Sequence, residues 1–319
     1  MPNYAGELRD FAYAKETTRG TAEAAPTKYL KIGSDSALNY EMLPVENDRI
    51  QGRGGMFPPD AGMKKGTGKL IFDLEAATVG DFLYSLLGSW TSSQLGTTTA
   101  YAHTFSQTTS NAHMSMSGFM DRDLQAYVYD MLTVKKLEVS GEPGGKAVCS
   151  ADVLFQAEAT TSTWSPTSDA PDPLMTHELS IKLTDAANTE IGKWSFSIDN
   201  QAEALWKVNG SQDAAEILAA RALLIEGSLD MFFSSTTERN NFLANTTRKI
   251  EFIFTGGTIT GTYTYKASFN FYDCRWSAFP WDGTLAGGLL GASAAFKGYY
   301  SVGDSKVADI VIQNTSTTY

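Results

Sequence analysis

Along most of this chain apolar and polar side chains alternate with period two, the signature of a strand buried on one face. In TYTYKASFNFY, Tyr263, Tyr265, Ala267, Phe269 and Phe271 share one face, and Thr262, Thr264, Lys266, Ser268 and Asn270 share the other. In HELSIKL, Leu179, Ile181 and Leu183 oppose Glu178, Ser180 and Lys182. VLFQAEA, WSFSID, KIEFIF and ADIVIQN follow the same pattern, punctuated by turn clusters such as GEPGG (141–145), DAAN (185–188) and TGGTITG (255–261). The pattern predicts a mainly β protein.

Helical signal is thin. After the strand Leu70–Leu74, Thr78 and Asp81 have the spacing of a capping box, and Phe82, Leu83, Leu86 and Leu87 form one apolar stripe that Gly88 can stop. Ser235 and Glu238 repeat the box spacing ahead of Phe242 and Leu243. DAAEILAARALL (213–224) reads as a third helix or a structured loop.

These two helical signals belong to a longer repetition. GTGKLIFDLEAATVGDFLYSLLG (66–88) and IEGSLDMFFSSTTERNNFLAN (225–245) each run Gly, alternating strand, Ser/Thr corner, Phe-Leu helix. Upstream, LNYEMLPVENDRIQGRG and FSIDNQAEALWKVNGSQD hold corresponding places. TSTWSPTSDAPDPLM (161–175), with three prolines that cannot sit inside a sheet, divides the chain near its middle. The expected organisation is an N-terminal arm (1–30), a first module (31–160), this linker (161–175) and a second module (176–319). In each module a short helix packs through Phe82, Leu83 and Leu86, or through Phe242 and Leu243.

Length and composition permit a large core: 319 residues, 42% apolar and 12% aromatic. Acids outnumber bases 36 to 25, a net charge of −11, which disfavours a surface built to grip phosphates. Cys149 and Cys274 have no metal-ligand neighbours and read as buried, reduced thiols. The N-terminal residues lack the pattern of a signal peptide, and no apolar run has the ~18 residues of a membrane helix. The expectation is a soluble protein of a reducing compartment.

Catalytic signals are weak. His103, His113 and His177 lack metal spacing and read as surface or turn residues. DRD (121–123) lacks the later ligands of a calcium loop, and the Gly-rich runs lack the Lys-Ser/Thr of a phosphate loop. Neither an enzymatic role nor a cofactor or metal is expected. Strands with few charges and little Pro have edges available to other subunits, which points to an assembly protein.

At this point the chain resembles a family, the tail tube proteins of long-tailed, non-contractile bacteriophages. FAYAKETTRGTAEAAPTKYLKI resembles that family's opening stretch, GTGKLIFDLEAATVGDFLYSLLG its strand and short helix, FSIDNQAEALW and GSLDMFF its second-half pattern, and ADIVIQNT its closing strand. The resemblance implies β-sandwich modules with a flanking helix, whose strands join an inter-subunit barrel. It implies a virion protein, assembled in the host cytoplasm, whose rings stack into a tube. Its partners would be itself and other tail proteins such as tape measure, terminator and baseplate, with DNA passing through the lumen without specific binding and no membrane involved. An acidic lumen would repel phosphates and let DNA slide.

With two modules per chain, a six-position ring needs three chains and has pseudo-six-fold symmetry. The loops 44–66 and 202–220 are the expected inter-ring contacts, with Arg53, Met56, Phe57, Met63, Trp206 and Asn209 as candidates. Two other readings are another virion protein on a related sandwich (terminator, baseplate hub or decoration protein) and a carbohydrate-binding sandwich using Trp164, Trp194, Trp206, Trp276 and Trp281.

Overall fold

The computed structural model describes residues 10–47, 58–122, 124–164, 173–219, 222–233, 235–280, 283–284 and 290–319. The first half runs β1 (Asp10–Lys15), β2 (Lys28–Leu30), β3 (Ala37–Met42), β4 (Lys64–Asp73), α1 (Val79–Leu87), β5 (Gly88–Gln94), β6 (Tyr101–Gln107), β7 (Met116–Asp121), β8 (Ala126–Gly141), β9 (Val148–Phe155) and β10 (Glu158–Thr161). The second runs β11 (Leu179–Leu183), β12 (Ala186–Ala187), β13 (Ile191–Asp199), β14 (Glu203–Leu205), β15 (Glu216–Leu218), β16 (Leu224–Phe232), α2 (Thr237–Leu243), β17 (Arg248–Thr260), β18 (Tyr263–Ala278), β19 (Gly283–Thr284), β20 (Leu290–Tyr299) and β21 (Ala308–Asn314). The protein is mainly β, in large antiparallel sheets consistent with a β-sandwich.

One ladder of strand pairings occurs twice. In the first half β1 pairs with β2 and β7, β7 with β8, β8 with β9 and β10, β9 with β4, and β4 with β3. In the second half β11 pairs with β12 and β17, β17 with β18, β18 with β20 and β21, β20 with β16, and β16 with β13. The register corresponds in detail. Gly68 stands between Leu38 and Val153, and Gly227 between Phe196 and Phe296. The long strands β8 and β18 each slip by one residue at the same place, after Val134 against β9 and after Trp276 against β20. Each long strand bonds one set of partners along its first part, β7 and β10 or β17 and β21, and another along its end, β9 or β20. One buried apolar cluster runs through both halves, with Phe72 against Phe82 at 4.7 Å in the first and Phe196 against Phe252 at 4.6 Å in the second.

Several expectations need correction. Residues 10–30, expected in an arm, hold β1 and β2, and Phe11 to Ala14 are all buried. TGGTITG is not a turn up to Thr260, because β17 continues that far before turning at Gly261. The described residues of the 213–224 stretch are not helical: they hold β15 and the start of β16, and Ile217 is buried against Met131 and Leu154. Neither capping box forms. The Thr78 hydroxyl bonds Glu75 at 3.4 Å, and the carboxylates of Asp81 and Glu238 are engaged elsewhere. Gly88 does end α1, at φ +81°, its N–H donating to the Tyr84 carbonyl. Both described ends of the Pro-rich segment are tied down. Trp164 packs on Phe119 at 5.8 Å, while Leu174 is buried and donates its N–H to the Leu74 carbonyl.

Candidate assembly surfaces

The two halves are joined edge to edge. β13 has β16 on one side and, on the other, the end of β8, in a register running from Trp194 opposite Gly141 to Asp199 opposite Lys136. The strands β3, β4, β9, the end of β8, β13, β16, β20 and the end of β18 therefore form one continuous layer. Its two outer strands correspond to the two that meet in its middle. β3, the counterpart of β13, has only β4 as a strand partner among the described residues, and Arg122 donates to its Leu38 carbonyl at 2.7 Å. At the far end, Ala278 corresponds to Lys136, the first β8 residue that receives β13.

One face of this layer is packed and the other is polar. Trp194, Phe196 and Ile198 of β13 point inward and are buried, while Ser195, Ser197 and Asp199 point out. The same alternation puts Lys136, Glu138 and Ser140, then Ser150 and Asp152, then Glu226, Ser228 and Asp230 on the polar face. Hydroxyls and ion pairs cross it: Ser195 to Ser228 at 3.0 Å, Lys297 to Glu226 at 2.8 Å, Arg275 to Asp273 at 3.4 Å and Lys136 to Glu138 at 3.9 Å.

Against this geometry, the family model described as phage tail tube protein matches residues 6–298. The chain belongs to the phage tail tube protein family. No curated protein matches it in sequence. As a tail tube protein it is a structural component of the virion tail.

The residues expected to contact a neighbouring ring are dispersed. Arg53, Met56 and Phe57 lie outside the described residues. Met63 is half exposed beside Leu43, whose N–H donates to the Met63 carbonyl at 2.7 Å. Trp206 is engaged inside the chain, its indole N–H donating to the Lys64 carbonyl at 3.1 Å. Around it the β14–β15 hairpin grips the first half: Lys64 N–H donates to the Gln212 carbonyl, the Tyr40 hydroxyl bonds Asp213, and Arg19 reaches the Ile217 carbonyl. Asn209 sits at the exposed hairpin tip beside Val208, which is fully exposed.

The helices carry the other candidates. Phe82, Leu83 and Leu86 are fully buried, and α1 lies between β8 and the β5–β6 hairpin. Phe242 is half buried against Phe279 at 6.1 Å, but Leu243 is 64% exposed, contrary to the expected packing. Each helix is anchored by the acid of its first turn. Asp81 accepts from Tyr13 at 2.9 Å and Lys28 at 2.6 Å, and Glu238 from Arg248 at 2.5 Å and Trp276 at 3.1 Å. Sequence spacing found both acids but assigned them to caps.

Two of the three histidines are not surface residues. His103 is buried against Tyr319, 4.8 Å away, and its Nε2 meets Asn314 at 3.2 Å and the Ser316 carbonyl at 2.9 Å. His113 is buried with its Nδ1 at 3.1 Å from the Ser85 carbonyl. Burial holds both below the usual histidine range. Cys149 and Cys274 are free and buried, and burial pushes both thiols up. Among the tryptophans, Trp194 and Trp276 are buried, Trp164 and Trp206 half buried, and Trp281 outside the described residues, an arrangement that favours packing over sugar stacking.

Proposed function

We propose that this tail tube protein closes into rings of three chains, that the rings stack into a tube, and that the polar face of the eight-strand layer lines the lumen through which DNA passes. The observation that carries this reading is the joint between β8 and β13. It binds the second copy of the ladder to the first through edges whose counterparts, β3 and the end of β18, lie at the two outer margins of the layer. Repeating the same joint between chains puts β3 of one copy beside the end of β18 of the next, with Glu41 opposite Ala278. Each chain then supplies two modules of one closed barrel, and closure removes every free edge.

Facing the lumen, Lys136 and Lys297 are each paired with a carboxylate, Lys65 and Lys69 stand opposite Glu41 and Asp152, and Asp199 and Asp230 add further negative charge. DNA held by such a surface would release few counterions and would not stick. The exposed hairpin tip around Val208 and Asn209 is the surface we assign to contact with the next ring. The purified protein at high concentration, imaged in negative stain, should form rings or tubes with a central hole. A dispersed monomer under those conditions would overturn the reading.

A further inference from the structure

The internal joint has a second layer of contact, beyond strand pairing, whose counterpart at the outer edge of the chain is uncovered. Beside the β8–β13 pairing, Ala202 and Ile217 pack onto Met131 and Leu154, and these four residues form a buried cluster of their own. Thr133, between them in the ladder, is buried as well. Thr133 lies opposite Leu154 in the β8–β9 pairing just as Arg275 lies opposite Lys297 in the β18–β20 pairing. The counterparts of Met131, Thr133 and Leu154 are therefore Asp273, Arg275 and Lys297.

At that second position the chain covers the surface only in part, Arg275 donating to the Asn245 carbonyl at 3.4 Å. Asp273, Arg275, Tyr299 and Tyr300 line an open depression of about 480 Å³, with Tyr299 48% and Tyr300 57% exposed. In the first half the equivalent cover comes from the segments that flank β13 and β16, namely Ala202 and Ile217 to Ala219. Their counterparts flank β3 and β4: a two-stranded ribbon in which Leu43 donates to the Met63 carbonyl and Val45 and Asp60 exchange both backbone bonds at 2.9 Å. Leu43, Val45 and Met63 on this ribbon are each 44–56% exposed. Among the described residues these apolar side chains, beside Asp60, keep about half of their surface open.

We infer that the Asp273–Arg275–Tyr299–Tyr300 depression is the seat of the Leu43–Val45 and Asp60–Met63 ribbon of a second copy of this chain. The inference rests on the ring reading above and adds the surface that locks each interchain strand joint. The aromatic rings cover the aliphatic side chains of the ribbon, and the planar guanidinium of Arg275 suits a carboxylate such as Asp60. Repeating a contact already built inside the chain also explains why only one of the two equivalent sites is open in a single copy.

Two cysteine pairs test this and separate it from the ring itself. Val45→Cys with Tyr299→Cys reports the seat, and Glu41→Cys with Ala278→Cys reports the strand joint. All four positions are exposed, and the native thiols are buried, so a short bis-maleimide reads only the introduced pairs. Each double variant is expected to give a covalent series ending in a closed species, and the single variants none. Linkage across the strand joint without linkage at the seat overturns the seat and leaves the ring standing. Absence of both overturns both. Linkage at the seat alone supports the seat and overturns the strand register. As an independent readout, Tyr299→Asp should raise the concentration needed for half-maximal assembly at least about tenfold, as removal of an aromatic anchor does, and an unchanged concentration contradicts the seat.

Discussion

The two helices stand at equivalent points of the repeated ladder and live in different environments. Every α1 residue but Tyr84 is buried, whereas no α2 residue is. The cause is an insertion. Between α1 and β7 the chain adds the β5–β6 hairpin, which covers the helix on its outer side, while α2 reaches β17 after four residues. The hairpin also runs on to the second half, where β6 pairs with β21, and Asn200 just after β13 donates to the Leu86 carbonyl at 2.9 Å. One copy has thus become a buried brace between the halves, and the other keeps an exposed helix held mainly by the Glu238 anchor.

The largest expected difference comes from truncating the two equivalent phenylalanines. Phe82→Ala empties a fully buried site and should cost about 3–5 kcal/mol, against about 1 kcal/mol for Phe242→Ala at its half-exposed site. Urea unfolding of the unassembled chain would measure both, and equal losses would erase the distinction. Next in size are the anchors. Asp81→Asn leaves Lys28 and the buried Tyr13 hydroxyl with a weaker acceptor and should cost about 2 kcal/mol, and Glu238→Gln slightly less because its carboxylate is more exposed than that of Asp81. A neutral Asp81→Asn would mean that the ion pair does not hold α1.

A smaller effect concerns pH. His103 and His113 are held below the ordinary histidine range, so the unfolded chain takes up protons that the folded chain refuses. Their contribution to stability is therefore full at neutral pH and is lost as pH falls below the unfolded histidine value, about 6.5. Asp130, pushed up to about 6 by burial, acts in the opposite sense: it loses stability as pH rises from the unfolded carboxylate value, about 4, toward 6. Comparing wild type with His113→Phe from pH 7 to 5 isolates the histidine term, which should flatten the variant's decline; parallel curves would remove it. Least affected of all should be Leu243→Ser on the exposed face of α2, within about 0.5 kcal/mol of wild type.

Much of this fold was legible in the alternation of side chains. Tyr263–Phe271, Leu179–Leu183 and Trp194–Ile198 are strands with the expected faces inward, and the stripe Phe82, Leu83, Leu86 is buried. Local pattern failed where a distant partner decides. The acids at Asp81 and Glu238 sit at capping spacing, but a lysine 53 residues away and a tryptophan 38 residues away claim them. His103 is buried because Asn314, 211 residues on, meets it across the β6–β21 pairing. The helical look of 213–224 yields to Ile217, which is drawn into the first half. Residues 11–14 carry no polar alternation to mark a strand, because β1 is buried on both faces. The assembly surfaces were the least legible, since Trp206 advertises a contact that the chain itself consumes, and the open seat at Tyr299 emerges only from superimposing one joint on the other.

The account turns on repetition: what joins the two halves of one chain also joins chain to chain. Native mass spectrometry of soluble rings tests this most directly. The account predicts rings of three copies of the 34.6 kDa chain, presenting six equivalent positions around the lumen. Rings of six copies would contradict it, because only one half of each chain could then line the barrel.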